Sequence, residues 1–415
     1  MNAPRQAVIL CGGLGERLRP LTDSLPKPLA PINGRPFLAF LIDQLREQGI
    51  ERILLLTGYL GEQLRERFSD GATFGVRIDY SHGPADWDTG RRLWEARKQL
   101  DERFLLLYSD NYVPFSLDKL TRLHEERGKI LTLLLQGKMP GNVRLSADGA
   151  IECYDRTRTG PGLDYVEIGY MIVERDAVLD AFPPDPNVSF ARVLEALANA
   201  GRVAGLVSRD PYHSISDVDR WKLAERYLQP KRILLIDRDG TINQRAPRGE
   251  YVTDWSRFHW VEETVAALAQ LARAGFRFIV VSNQAGVGRG VMSAAAVDEI
   301  NRRMVDGLAS RGIDVFGVYV CPHHWEDRCA CRKPDAGLFF QASREHLVRL
   351  DRTIYVGDDP RDARAASNAE CLSVLVGPER DADPGDGVAP SHTAPTMLDA
   401  VPWILSRFES WESGQ

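Results

Sequence analysis

Asp237 and Asp239 stand two residues apart, directly after the apolar run Ile233–Ile236. Side chains of an extended segment alternate with period two, so both carboxylates are expected on one side of the chain. One can attack a phosphorus atom while the other protonates the leaving oxygen, which is the chemistry of phosphomonoester cleavage. Gly240 permits a sharp exit from the run, and Thr241 can orient the loop. Farther along, Ser282 closes the apolar run Phe278–Val281 and offers a hydroxyl and nearby amides to phosphate. Lys333 supplies the fixed positive charge that a transferring phosphoryl group needs. Asp358 follows another apolar run and gives a second carboxylate for Mg²⁺, a cation that takes few carboxylates and keeps its waters.

A second phosphate-handling pattern, of different design, opens the chain. Gly12, Gly13 and Gly15 follow the apolar run Ala7–Cys11. Glycines there let backbone amides approach a polyphosphate without interference from a Cβ. Arg17 and Lys27, in the stretches Arg17-Leu18-Arg19-Pro20-Leu21-Thr22 and Pro26-Lys27-Pro28, can neutralise triphosphate charge. Three of the six cysteines, Cys321, Cys329 and Cys331, fall within eleven residues, which is metal-site spacing rather than a disulfide framework.

These residues need elements to place them, and both halves alternate strand-like and helix-like segments, the pattern of an α/β sheet. Strands are expected at Ala7–Cys11, Ile53–Thr57, Phe104–Ser109 and Ile130–Gln136, with a helix over Phe37–Gln48. After the amphipathic stretch Asp219–Leu228 and the proline at 230 the pattern restarts, at Ile233–Ile236, Phe278–Ser282, Val315–Cys321, Thr353–Val356 and Ser373–Val376. The expected organisation is therefore two doubly wound α/β domains, 1–229 and 231–415, the second with a core at 231–377, a mobile loop over Gly377–Pro395 and a terminal helix.

At 415 residues with 44% hydrophobic and 27% charged residues, the composition is that of a soluble multidomain protein. A net charge of −6 argues against a general nucleic-acid binder. No apolar run approaches the ~20 residues of a membrane helix, and the first residues lack a signal-peptide core, so a cytoplasmic location is expected.

The order Asp237, Asp239, Ser282, Lys333, Asp358 resembles the haloacid dehalogenase phosphatase superfamily over essentially all of 231–377. The resemblance implies Asp237 as nucleophile and Asp239 as general acid/base, with Ser282 and Lys333 holding phosphate. It gives Mg²⁺ to Asp237, Asp358 and the Asp239 carbonyl, with Asp362 in support, and substrate contacts to Thr241, Asn283, Arg289 and Arg332. Ser282-Asn283-Gln284-Ala285-Gly286-Val287-Gly288-Arg289-Gly290 and Cys321-Pro322-His323 with Cys329-Ala330-Cys331-Arg332-Lys333-Pro334 are similar to the heptose 1,7-bisphosphate 7-phosphatase and histidinol-phosphatase branch. In that branch Cys321, His323, Cys329 and Cys331 would hold one structural Zn²⁺, pinning the loop that carries Arg332 and Lys333.

The first half resembles the sugar-1-phosphate nucleotidylyltransferases over roughly residues 5–228, with a Rossmann-like fold implied. The likeness assigns nucleotide contacts to Gly12, Gly13, Gly15, Arg17, Lys27 and Thr89, a metal to Asp110, and sugar contact to the strand at Glu167-Ile168-Gly169-Tyr170. Glu16 stands where the family has Thr, and Ser214 where it has a second metal-binding Asp, so His213 or Asp217 compensates or the metal site is weakened. Arg91 and Arg92 have two readings, a phosphate contact or a solvated helix face.

Together the likenesses imply a bifunctional enzyme of surface-sugar precursor synthesis. It would act on phosphorylated sugars and a nucleoside triphosphate, GTP favoured, as in D-glycero-D-manno-heptose 1-phosphate guanylyltransferases. The competing readings are a phosphatase for another small phosphomonoester such as histidinol phosphate, and a first half retained for regulation.

Overall fold

The computed structural model describes residues 3–247, 249–377 and 388–413, which divide into two compact units, Met1–Gln229 and Pro230–Gln415. In the first unit β1 (Gln6–Cys11), β2 (Arg52–Thr57), β3 (Arg77–His82) and β4 (Arg103–Tyr108) pair in parallel in the order β3-β2-β1-β4. β1 is buried along its whole length, which is why it reads as an unbroken apolar run rather than an alternating one. β5 (Leu131–Gly137), β6 (Val143–Leu145), β7 (Ile151–Tyr154), β8 (Tyr165–Glu174) and β9 (Val203–Ser208) complete a nine-stranded mixed sheet, β8 running antiparallel to β4, β5 and β6. The helix Phe37–Glu47 presses Phe37, Leu38, Leu41, Ile42 and Leu45 into the interior, the recurrence of a wide apolar helical face.

The second unit is a six-stranded, fully parallel sheet. Its strands are β10 (Ile233–Ile236), β11 (Arg277–Asn283), β12 (Val315–Cys321), β13 (Ile354–Gly357), β14 (Leu372–Val376) and β15 (His392–Ala394), in the order β12-β11-β10-β13-β14-β15. In each unit the connection reverses direction at the first strand. The loops leaving the carboxyl ends of β1 and β10 therefore open into a crevice between diverging crossovers, where parallel sheets bind ligands.

The strands expected from sequence are present to within one residue at either end. The segment expected to be a mobile loop over Gly377–Pro395 differs. Its residues 378–387 lie outside the described residues, but 392–394 form β15. Tertiary contacts override the local composition there. Ser373 and Ser391 exchange backbone-to-hydroxyl hydrogen bonds at 3.1 and 3.2 Å, and the His392 ring stacks on Trp403 of the closing helix Met397–Ser413 at 4.9 Å.

Candidate active sites

In the second unit the carboxyl ends of β10, β11 and β13 bring together the residues singled out from sequence. The Asp237 amide still donates to Val356 O at 2.8 Å, so its carboxylate is held at the strand's end, at the floor of a cavity of about 580 Å³. Lys333, 3% exposed, reaches Asp237 Oδ1 at 2.9 Å, Asp362 Oδ1 at 2.8 Å and the Tyr355 hydroxyl at 2.6 Å. One ammonium thus faces two buried carboxylates. Burial pushes the Asp237 carboxyl above its usual range; Lys333 draws it down, and Asp362 pushes it up again. Burial alone would lower Lys333, yet Asp237 and Asp362 outweigh it and keep the amine above its ordinary value.

Asp239 is held differently. Arg238, fully buried, grips it through Nη2 at 2.9 and 3.1 Å, while Asn243 Nδ2 and Gln284 Nε2 donate at 2.9 and 2.6 Å. Burial acts to raise Asp239, but Arg238 and these donors win and its pKa is lowered. The chain has already left the strand here, so the period-two expectation is replaced by a turn. Gly240, at φ 97°, makes that turn possible, since a Cβ would sit 2.2 Å from Asp358 Oδ2. Thr241 is fully buried beneath the turn.

Ser282 is buried and accepts from Gln284 Nε2 at 2.9 Å. Asn283 lines the cavity, but both ends of its amide hold the Lys333 backbone, accepting from N and donating to O at 3.0 Å each. It therefore positions Lys333, a role its spacing in the sequence did not reveal. Arg289 and Arg332 line the same cavity, and Arg332 Nη1 is buried without a hydrogen-bond partner. Arg238, Gln284 and Asn243 were missed in the sequence reading, because a residue between two catalytic carboxylates is expected to face away from them.

Asp237, Asp358 and Asp362 place carboxylate oxygens within 4.8 Å of one another. Arg245 bonds Asp358 Oδ1 at 2.8 Å. Burial first, and then the neighbouring Asp362, raise Asp237, and a divalent cation would relieve both, so these residues fit Mg²⁺.

Cys321, His323, Cys329 and Cys331 also converge within 4.8 Å. Their sulfurs lie 3.4 to 3.6 Å apart, with His323 Nδ1 at 3.2 and 3.7 Å from Cys331 and Cys321. Such mutual spacings suit four donors around one ion about 2.3 Å from each sulfur, the tetrahedral geometry of zinc. His324 points elsewhere and caps the short helix Trp325–Asp327. Metal analysis of purified protein is expected to find about one Zn²⁺ per chain, and Cys331→Ser to lower both zinc content and thermal midpoint. Wild-type protein without zinc would refute the assignment.

In the first unit Gly12, Gly13, Gly15, Arg17, Lys27, Thr89 and Asp110 line a cavity of about 680 Å³. The glycines serve different ends. Gly13 meets nothing within 4 Å and is open to the cavity, and Gly15 takes the left-handed φ of 66°. At Gly12 a Cβ would collide with Arg92 at 2.3 Å. The solvated-face reading of Arg92 does not hold: it is buried, lines the cavity and donates to the carbonyls of Thr57, Gly12 and Pro84 at 2.7, 3.3 and 2.7 Å, clamping the glycine loop. Arg91 pairs with Glu95 at 2.6 Å on the helix surface. The Thr89 hydroxyl accepts from Phe190 N at 2.8 Å.

Lys27 Nζ bonds Asp110 Oδ2 at 2.5 Å. Neither of the residues considered as a substitute for the second carboxylate lines this cavity. Asp217 caps the helix Val218–Leu228, and His213 stacks on Tyr227 at 3.8 Å. Ser216 does line it, with its hydroxyl 3.1 Å from that of Ser214 and Arg220 Nη1 at 3.3 Å. Among the described residues no group of three ligand side chains includes Asp110, so a cation here would rest on Asp110 together with the substrate's own phosphates. Glu167, half-buried and accepting from the Tyr154 hydroxyl at 3.3 Å, is pushed up to about 7 by desolvation.

Residues 6–142 match the family described as Nucleotidyl transferase, and residues 232–371 the family described as Polynucleotide kinase 3 phosphatase. The D-glycero-alpha-D-manno-heptose-1,7-bisphosphate 7-phosphatase of Mycobacterium bovis is 41% identical over 150 residues, 35% of this chain and 78% of the relative. The D-glycero-beta-D-manno-heptose-1,7-bisphosphate 7-phosphatase of Pasteurella multocida is 35% identical over 152 residues, 35% of this chain and 81% of the relative. The structure of HddC from Yersinia pseudotuberculosis is 22% identical, covering 53% of this chain and 98% of that one with a TM-score of 0.47.

Proposed function

The chain belongs, through its second unit, to the D-glycero-D-manno-heptose-1,7-bisphosphate 7-phosphatases, and from that premise we propose that residues 231–415 release the 7-phosphate of such a bisphosphate. The 41% identity across 78% of a heptose bisphosphate phosphatase carries this reading over histidinol phosphate. An Asp237 oxygen attacks phosphorus, the bond from phosphorus to the sugar oxygen breaks, and Asp239 gives that oxygen its proton. Asp239, then ionised, takes a proton from water, which attacks the aspartyl phosphate, breaks its P–O bond and restores the Asp237 carboxylate as inorganic phosphate leaves. Splitting the displacement suits the two environments. Donors around Asp239 favour the ionised form required in the second half, and the negative charge of an arriving phosphate raises its proton affinity for the first. Mg²⁺ held by Asp237 and Asp358, with the Asp239 carbonyl, would supply charge neutralisation for the phosphoryl oxygens. Lys333 supplies further positive charge from beside Asp237 and Asp362, while Asn283 fixes its backbone.

The first unit, by the same proposal, transfers a nucleotidyl group to the heptose 1-phosphate so formed. A sugar phosphate oxygen attacks the α-phosphorus of a nucleoside triphosphate, GTP favoured, and the bond to the β-phosphate bridge breaks with release of pyrophosphate. Gly13 and Gly15 present backbone toward the polyphosphate, and Lys27, poised on Asp110, turns its charge to the triphosphate. Both substrates are metabolites of the cytoplasm, which we propose as the location; among the described residues no helix is long and apolar enough to cross a membrane.

The test is incubation of purified protein with heptose 1,7-bisphosphate and each nucleoside triphosphate, with phosphate and pyrophosphate measured separately. Both are expected, pyrophosphate best with GTP. Lys27→Ala should lower pyrophosphate release by about a hundredfold and leave phosphate release unchanged. No pyrophosphate from any nucleotide would favour the regulatory reading of residues 1–229.

A further inference from the structure

The cations of the phosphatase cavity fall into two sets. Lys333, Arg245 and Arg361 each pair with carboxylates of the site, at Asp237 and Asp362, Asp358 and Asp359, and Asp359. Arg289 and Arg332 line the same cavity and form no ion pair with a described carboxylate. Arg289 is held by aromatic rings instead. Its guanidinium lies 5.0 Å from the ring centroid of Trp325 and 5.8 Å from that of Tyr251, and Nη1 donates to the Tyr251 hydroxyl at 3.3 Å.

Trp325 is 49% exposed, unusual for so large a ring, and it rides on the cysteine loop. That loop is fastened directly to the turn bearing Arg289. Gly288 N donates to Pro322 O at 2.8 Å, and a Cβ at Gly288 would lie 2.5 Å from His324 N. An aromatic face holds a guanidinium by its quadrupole without neutralising it, so the charge stays available to an anion. A carboxylate partner would have cancelled it.

We propose that Trp325 and Tyr251 are positioning residues that hold Arg289 toward the distal phosphate of the substrate, the one that is not transferred, and so set the preference for a bisphosphate. The inference rests on the phosphatase reading above. Two guanidinium groups without carboxylate partners, lining the same cavity, attract a second phosphate and repel an ammonium-bearing monoester such as histidinol phosphate.

The test compares steady-state kinetics on heptose 1,7-bisphosphate and on p-nitrophenyl phosphate, which lacks a second phosphate, for the full-length enzyme and for Trp325→Ala, Trp325→Phe and Tyr251→Phe. Trp325→Ala should raise KM for the bisphosphate by about tenfold with kcat within about twofold, and leave kcat/KM for p-nitrophenyl phosphate unchanged. Trp325→Phe should restore most of the loss, and Tyr251→Phe should shift KM in the same direction by less. Zinc content should match the wild type in every variant. An unchanged KM in Trp325→Ala, or an equal fall on both substrates, overturns the proposal. Absence of any bisphosphate preference in the wild-type enzyme would instead sink the substrate reading on which it rests.

Discussion

Asp237→Asn is expected to lower phosphate release by at least about 10⁴-fold, the scale on which removal of a covalent nucleophile acts. That is a barrier increase of more than about 5 kcal/mol. The substitution keeps shape and the hydrogen bond that Asp237 Oδ1 accepts from Arg238 N at 2.7 Å. It removes one of the two carboxylates facing Lys333, leaving Asp362 as that ammonium's neutralising partner at 2.8 Å. Burial already disfavours charge on Asp237, so its replacement by a neutral amide should leave the fold intact. Zinc content, and pyrophosphate release from supplied heptose 1-phosphate, should be unchanged, whereas pyrophosphate release from the bisphosphate should fall together with phosphate release. Turnover remaining within about a hundredfold of wild type would be the size of an acid–base effect and would take the nucleophile role from Asp237.

What the sequence made legible is what local periodicity encodes. Ile233–Ile236 and Phe278–Val281 are buried on both faces, so they appear as unbroken apolar runs that end at functional side chains. The Cys-x-His and Cys-x-Cys spacing is equally local, and the four donors meet in space. Residues whose role depends on distant partners were not legible. Arg92 follows a helix start and looks like surface, yet it clamps the glycine loop through carbonyls of three separate segments. Arg238 alternates away from its neighbours on paper but folds back on Asp239 once the strand has ended. Strand β15 is short and follows a proline- and glycine-rich stretch, and its order comes from Trp403 and Ser373 rather than from its own residues. At Ser214 the sequence showed a missing carboxylate; the structure adds that Arg220, paired with Asp217 at 3.4 Å, donates to the neighbouring Ser216 hydroxyl, so that corner is filled by a guanidinium rather than vacant.

Lys333→Met should be nearly as damaging as loss of the nucleophile, and for an electrostatic reason that a pH profile can expose. Methionine fills the same buried space beside Tyr355 but leaves Asp237 and Asp362 facing each other without their shared ammonium. In the intact site burial and Asp362 raise the Asp237 carboxyl while Lys333 lowers it, so removing Lys333 moves it farther up. Attack requires the ionised form. The acidic limb of the pH–rate profile must therefore shift to higher pH, with activity at neutral pH down by about 10³-fold or more and partly regained in alkali. Stability has the matching sign. A carboxyl whose folded-state pKa is raised stabilises the fold while protonated and loses that contribution as pH rises through the raised value. The variant's thermal midpoint should consequently fall with rising pH more steeply than that of the wild type. Uncompensated burial of the remaining pair should cost about 3–5 kcal/mol where both are ionised. Lys333→Arg is not expected to rescue, since a planar guanidinium cannot occupy the point between Asp237, Asp362 and Tyr355 that a compact ammonium fills. A loss of activity with the acidic limb unmoved would show that Lys333 acts on the phosphate alone and not on the ionisation of Asp237.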